Sequence, residues 1–170
     1  MGLLVDGVWR DDSFDTARMQ GGRFNRPTTK FRSWVTPDGS PGPSGQGGFA
    51  AEAGRYHLYV SLACPWAHRT IILRHLKRLE NVISMSVTSW HMGDLGWTFD
   101  TAEGSSGDAV NGAQRMADIY LLADPKYTGR CSVPVLWDKK RKTIVSNESS
   151  EIIRMLNSAF DGLTNEHSDY

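Results

Sequence analysis

The feature that most constrains this fold is a cysteine-proline pair at the junction of two differently patterned segments. Residues 56–62 are rich in aromatic and β-branched side chains, which predicts a strand, and Cys64 and Pro65 follow almost at once. Beyond Pro65 the apolar residues recur at helical spacing. The predicted inner face holds Ile72, Leu73, Leu76 and Leu79, and the predicted outer face holds Arg69, Arg74, Lys77 and Arg78. Because proline is favoured at the first helical position, Cys64 is expected at the amino end of this helix.

The rest of the chain continues the alternation of strands and helices. The predicted elements are, in order, a strand at 82–87, a helix at 113–123, strands at 133–137 and 143–146, and a helix at 148–160. The crossover through the first helix makes the strand at 82–87 parallel to the first, and the next two strands form a hairpin. The order β-α-β-α-β-β-α predicts an α/β domain with the thioredoxin-like arrangement.

Glycine and proline divide the chain unevenly. Thirteen of the 24 Gly and Pro residues lie in the first 50 positions, most of them at 37–48, which excludes a helix or a central strand there. Aromatic residues before this run indicate that the arm lies against the core; they are Phe14, Phe24, Phe31 and Trp34. We therefore interpret residues 1–50 as an irregular N-terminal arm and residues 51–162 as the folded domain.

Charge and hydropathy exclude several functions. The chain has 19 Lys+Arg against 19 Asp+Glu, so its net charge of 0 offers no broad basic surface for nucleic acid or acidic membrane. The basic run at 139–142 is interpreted as a solvated turn. His57 and His68 interrupt the most apolar stretch, which excludes a membrane span. Because no export signal is recognisable, we expect a cytosolic location.

Cys64 is the predicted nucleophile. A thiol at a helix amino end faces unpaired backbone N–H groups and the positive end of the helix dipole, both of which favour the thiolate. Ala67 stands where a Cys-x-x-Cys enzyme has its second thiol, so an outside thiol must open any mixed disulfide on Cys64. The alternative is a buried structural cysteine.

Two other groups near this helix receive less weight. Cys131 is interpreted as a bystander rather than a resolving thiol, because no helix terminus activates it. His68 lies one turn from Cys64, but two ligands are too few for a zinc site, so we expect no metal and a solvated histidine.

Two further motifs indicate a peptide-like ligand. A cis bond before Pro134 presents the backbone of Val133 to such a ligand, although a plain edge-strand proline is an equal alternative. Glu148 and Ser149 begin the last helix with free N–H groups, a hydroxyl and a carboxylate, which suit a γ-glutamyl group; an ordinary helix cap is the alternative. Trp66 and Trp97 belong either to the core or to the wall of a site.

Four stretches, at 55–70, 96–99, 127–140 and 144–155, resemble a known family. They look like the glutathionyl-hydroquinone reductases, the Xi class of glutathione transferases, and the likeness runs from about Trp34 to the end. Cys-Pro-Trp-Ala at 64–67 and Ser-Asn-Glu-Ser at 146–149 are its most specific motifs.

The resemblance implies a reaction and a set of contacts. Cys64 attacks the sulfur of a glutathionyl-hydroquinone, which releases the hydroquinone and leaves a Cys64–glutathione disulfide. A second glutathione, the co-substrate, then leaves as glutathione disulfide. The implied glutathione contacts are Trp97, Arg130, Cys131, Ser132, Val133, Glu148 and Ser149, with Pro65, Trp66 and Pro134 in support.

The family continues into an all-helical second domain, which supplies a catalytic tyrosine, much of the hydroquinone pocket and the contacts of a homodimer. This chain ends at Tyr170, so residues 163–170 are interpreted as the start of a linker and only the glutathione half of the site is expected. Apolar surface on the first helices is then exposed, which predicts instability or self-association. A glutathione-binding module without turnover and a glutaredoxin-like thiol transferase remain alternatives.

Overall fold

The computed structural model describes residues 2–11, 19–20, 23–24 and 29–170. The strands are β1 Leu3–Val5, β2 Val8–Arg10, β3 Met19–Gln20, β4 Arg23–Phe24, β5 Tyr56–Val60, β6 Ser84–Val87, β7 Val135–Asp138 and β8 Thr143–Ser146. The helices are α1 Pro65–Leu76, α2 Met116–Ala123 and α3 Ser149–Ser158, with 3-10 turns at Thr101–Glu103 and Asp161–Leu163.

A four-stranded mixed sheet in the order β6-β5-β7-β8 forms the centre of the domain. β5 and β6 are parallel and joined by α1, whereas β5–β7 and β7–β8 are antiparallel. From β5 onward the element order is β-α-β-α-β-β-α, so the predicted thioredoxin-like arrangement is confirmed.

The core is built on the two central strands. All five residues of β5 and all four of β7 are buried, as expected where a strand is covered on both faces. The largest fully buried side chains include Trp137, Tyr56, Tyr59 and Tyr120. α1 packs against α3, and α2 contacts β8.

The predicted inner face of α1 was wrong in part. Ile72 and Leu76 are exposed, whereas Lys77, assigned to the outer face, is only 1% exposed. The face that packs inward carries small residues, Ala67 and Thr70, which let the helix approach its neighbours closely. Lys77 tolerates burial because Asp161 Oδ1 lies 2.9 Å from its Nζ, which also donates to the carbonyl of Ser168 at 2.7 Å.

Four predicted elements begin later than expected, α3 by one residue, at Ser149 rather than at 148. β6 begins at Ser84 rather than at 82, and β7 begins at Val135 rather than at 133. α2 begins at Met116 rather than at 113, because Phe99 N–H donates to the carbonyl of Gln114 at 2.8 Å and holds that residue outside the helix.

The arm before the domain lies on the core over its described part. Phe31 is buried, with its ring centroid 5.9 Å from that of Tyr120 and 5.5 Å from that of Tyr127. Trp34 Nε1 donates to Ser44 Oγ at 2.9 Å, inside the glycine- and proline-rich run, which forms no helix or strand. Phe14 and the side chain of Phe24 lie outside the described residues. The division into residues 1–50, 51–162 and 163–170 stays a prediction.

Apolar side chains are exposed beside the start of α1. Leu62 is 67% and Trp66 is 60% exposed, and Ile72 and Leu76 farther along the helix are exposed as well. Self-association through it stays a prediction. Among the helices of the described ranges, none is long and apolar enough to cross a membrane.

His57 makes stability depend on pH. It is buried in β5, where desolvation lowers its pKa to about 4 from an ordinary 6.5, and Nδ1 lies 2.7 Å from Ser84 Oγ. The unfolded chain therefore binds the extra proton as pH falls from 6.5 to 4, and the native state loses about 1.4 kcal/mol per pH unit, about 3 kcal/mol in all.

Replacement by a residue that does not titrate removes this slope. We expect urea denaturation of His57→Asn to show a shallower loss of unfolding free energy between pH 6.5 and 4 than the unmodified chain. His68→Asn, at an exposed histidine, is the matched control for the substitution itself. Equal slopes for His57→Asn and the unmodified chain would contradict the prediction.

Candidate functional site

Cys64 occupies the position immediately before α1, as predicted. Its backbone is extended at φ −103° and ψ 113°, and its carbonyl accepts from the N–H groups of Ala67 at 3.1 Å and His68 at 3.0 Å. Pro65 begins the helix, and no acidic residue lies in the first turn. The thiol is therefore partly buried at the positive end of a helix, without a carboxylate from that turn beside it.

The backbone at Val133 lies next to this thiol. The Val133–Pro134 peptide bond is cis, one of the two alternatives that the sequence left open, and Cys64 Sγ lies 3.7 Å from the carbonyl oxygen of Val133. Pro134 has no N–H, so β7 begins one residue later and Val133 stays outside the strand.

A cleft of about 670 Å³ opens at this point. The predicted site residues that line it are Cys64, Trp66, Trp97, Arg130, Cys131, Ser132, Val133, Pro134 and Ser149. A larger cleft of about 1080 Å³ lies within residues 91–115, and no predicted site residue lines it. We therefore identify the cleft that holds the cysteine as the candidate site.

Two predicted residues lie outside the lining of this cleft. Pro65 is exposed at the start of α1. Glu148 is the residue before α3, where its carbonyl accepts from the N–H groups of Glu151 and Ile152, both at 3.0 Å. Glu148 thus occupies the N-cap position of α3, and Ser149, the first residue of the helix, reaches the cleft.

The sequence did not indicate the contribution of the N-terminal hairpin, formed by β1 and β2. Trp9 from β2 and Gly2 before β1 line the cleft, together with Lys30 farther along the arm. Leu4 and Gly129 exchange two backbone hydrogen bonds of 2.9 Å, and Trp9 Nε1 donates to the carbonyl of Asp94 at 3.1 Å. These contacts join residues far apart in sequence, so no local pattern signals them.

Cys131 lies in the cleft wall, in an environment that disfavours its thiolate. It is 9% exposed, and desolvation by burial raises its pKa to about 12. Since the thiolate is the nucleophile, this environment favours its interpretation as a bystander.

The two thiols should differ in reactivity with an alkylating agent. In native protein at pH 7.5, iodoacetamide is expected to modify Cys64. The rate of Cys131 alkylation is expected to be at least roughly a hundredfold lower. Peptide mass spectrometry measures both sites. The same reaction in urea should label both cysteines, and equal native labelling would contradict the prediction.

No metal site is evident in the described ranges. Among those residues, no group of three or more His, Cys, Asp and Glu side chains is placed to hold a metal ion. His68 is exposed on α1.

The chain is similar in sequence to known proteins. Residues 63–159 match the family model for the N-terminal domain of glutathione S-transferase. The chain is 58% identical over 171 residues to the glutathionyl-hydroquinone reductase YqjG of Escherichia coli (strain K12), a match that covers 100% of this chain and 52% of the relative. It is 49% identical over 170 residues to the glutathionyl-hydroquinone reductase PcpF of Sphingobium chlorophenolicum, covering 100% and 51%.

Solved structures agree with these matches. The glutathione-bound structure of YqjG superposes with a TM-score of 0.82 at 54% identity, over 96% of this chain and 47% of that one. A Xi class transferase from Natrialba magadii also gives 0.82, at 43% identity, over 99% and 48%. The chain thus spans about half the length of the relatives it matches.

Proposed function

The chain belongs to the glutathione S-transferase family, and on that premise we propose that its cleft binds glutathione and that Cys64 forms a mixed disulfide with it. One observation carries the proposal: a partly exposed cysteine at a helix amino end lies 3.7 Å from the Val133 carbonyl oxygen, and both residues line one cleft of about 670 Å³. The name of the E. coli relative and the glutathione in its structure support the same ligand.

Glutathione is a peptide with a thiol in the middle and a γ-glutamyl group at one end. Its cysteinyl backbone pairs with Val133, which stands outside the sheet ladder and so has backbone groups to offer. The γ-glutamyl group lies at the start of α3, where Ser149 and free N–H groups receive its carboxylate. Trp97 and Arg130 close the remaining sides.

The reaction that we propose is reduction of a glutathionyl-hydroquinone. The Cys64 thiolate attacks the glutathione sulfur, an S–S bond forms and the carbon–sulfur bond breaks. The ring carbon keeps that bond's electron pair and takes up a proton, which gives the hydroquinone. A second glutathione thiolate then attacks the disulfide at the bound glutathione sulfur, giving glutathione disulfide and free Cys64.

Mass spectrometry of the reduced protein tests the nucleophilic step. After exposure to a glutathionyl-hydroquinone without free glutathione, we expect a single glutathione adduct on Cys64 and one equivalent of hydroquinone. An unmodified Cys64 in a chain that circular dichroism shows to be folded would contradict the proposed reaction and leave a binding module.

A monothiol transferase of glutaredoxin type is the second candidate. The observation that favours it is the open mouth of the cleft, where Trp66 is 60% exposed and leaves room for a varied partner. Faster reduction of a small glutathione mixed disulfide than of a glutathionyl-hydroquinone would favour this second candidate.

A cytosolic location and a homodimer of the longer relatives stay predictions from the sequence.

A further inference from the structure

Arg69 links the amino ends of α1 and α3 beside the cleft. Its Nε and Nη2 both donate to Ser149 Oγ, at 3.1 and 2.6 Å. Its guanidinium carbon also lies 5.3 Å from the centroid of the Trp66 ring. Ser149 and Trp66 line the cleft and Arg69 does not, so any effect of Arg69 on a ligand passes through these two side chains.

The two bonds from Arg69 restrict what the Ser149 hydroxyl can do. A serine oxygen has one hydrogen to donate and two lone pairs with which to accept, and its hydrogen ordinarily rotates to suit the partner. Arg69 directs both N–H groups at the oxygen from the same side. The hydroxyl hydrogen therefore turns away from the guanidinium, towards an acceptor such as a carboxylate oxygen.

Two charges beside the first turn of α3 point the same way, whereas the carboxylate of Glu148, just before the helix, lies outside the lining of the cleft. Glu151 is 5% exposed, and its carboxylate forms an ion pair with Arg32, which offsets its negative charge. The guanidinium of Arg69 adds a positive charge at the same helix end, where the helix dipole already favours an anion.

We propose that Arg69 is a positioning residue that fixes Ser149 as a hydrogen-bond donor, so that this end of the cleft selects a carboxylate over an ammonium group. The inference rests on the proposed function, in which the carboxylate is that of the γ-glutamyl group. Arg69 does not touch the ligand and takes no part in the chemistry at Cys64.

Three probes, glutathione and two analogues, separate the contributions of the ammonium and the carboxylate of the γ-glutamyl end. Reduced glutathione carries both, glutaryl-Cys-Gly lacks the ammonium, and 4-aminobutyryl-Cys-Gly lacks the carboxylate. Isothermal titration calorimetry on the full chain is expected to show that Arg69→Met lowers the affinity for glutathione and for glutaryl-Cys-Gly about tenfold. The affinity of Arg69→Met for 4-aminobutyryl-Cys-Gly should stay within about twofold of that of the unmodified chain, because this probe has no carboxylate to accept a hydrogen bond from Ser149.

Two further variants show that Arg69 acts through Ser149. Ser149→Ala should weaken glutathione by a similar factor, and the double variant with Arg69→Met should be no weaker than Ser149→Ala alone. Arg69→Lys keeps the charge without the two-pronged donor and should also lose about tenfold. Arg154→Met removes an exposed arginine from α3 and should bind all three probes normally.

The outcomes are distinct. Wild-type affinity for glutathione in Arg69→Lys, or equal losses for all three probes in Arg69→Met, would overturn the proposal, because charge alone or general disruption would then explain the effect. If Arg69→Met does not fold, Arg69→Lys decides. Failure of the unmodified chain to bind glutathione would overturn the proposed function as well, whereas normal binding unaffected by Arg69 would overturn this inference alone.

Discussion

Cys64→Ser is expected to abolish both the glutathione adduct and the release of hydroquinone, whereas Cys131→Ser leaves the rate of adduct formation within about twofold. A serine hydroxyl at the start of α1 cannot form the S–S bond, so no partial activity should remain. Cys131 is buried, and its pKa of about 12 keeps it protonated near neutral pH. Single-turnover kinetics with chromatographic detection of hydroquinone measures both variants.

The pair of variants also serves as its own control. Serine is close in size to cysteine, so circular dichroism and urea denaturation should show similar folding in both proteins. If the glutathione adduct persists in Cys64→Ser and disappears in Cys131→Ser, the nucleophile is Cys131 and our assignment to Cys64 is wrong. Loss in both would indicate that the two thiols act together.

Asp138→Ala is expected to lower the free energy of unfolding by about 3–5 kcal/mol. The Asp138 carboxylate is 0% exposed and accepts from Arg55 Nε at 3.1 Å and from Arg55 Nη2 at 2.5 Å. This bond raises the pKa of Arg55. A guanidinium is not deprotonated in proteins, so Arg55 stays charged when its partner is removed. The same carboxylate accepts from the N–H of Lys140 at 2.8 Å, which organises the turn after β7.

Urea denaturation at pH 7 measures this loss. Lys140→Ala is the control: its ammonium lies 3.3 Å from Glu52 in an exposed pair, and its removal should change stability little. An Asp138→Ala protein as stable as the Lys140→Ala protein would show that Arg55 finds compensation from Glu52, 2.8 Å away, or from solvent.

The order of the elements was predictable because local patterns specify it. The aromatic and β-branched run before Cys64 becomes β5, and Pro65 becomes the first residue of α1. The apolar spacing at 148–160 gives α3 with Ile152 and Leu156 buried. Each of these signals lies within one element, where the sequence pattern and the structure share the same period.

What the sequence could not indicate depends on contacts between distant segments. The helical spacing of Ile72 and Leu76 is compatible with burial, yet α1 turns Ala67 and Lys77 inward because α3 and the segment at Asp161 meet it there. Trp9 enters the cleft wall from a three-residue strand, which carries no period of its own. Arg69 carried a helical-face prediction only, and its link to Ser149 needs the two helices in place.

The N-terminal hairpin docks on residues that are synthesised much later. Asp6 N–H donates to Thr128 Oγ1 across 122 positions of sequence, and Leu4 exchanges backbone hydrogen bonds with Gly129. A ribosome that adds roughly 5–20 residues per second needs roughly 6–24 s to cover that distance. Leu4, fully buried in the finished domain, is therefore made well before its docking partner exists, and the wall that contains Trp9 cannot form until residue 129 has been added.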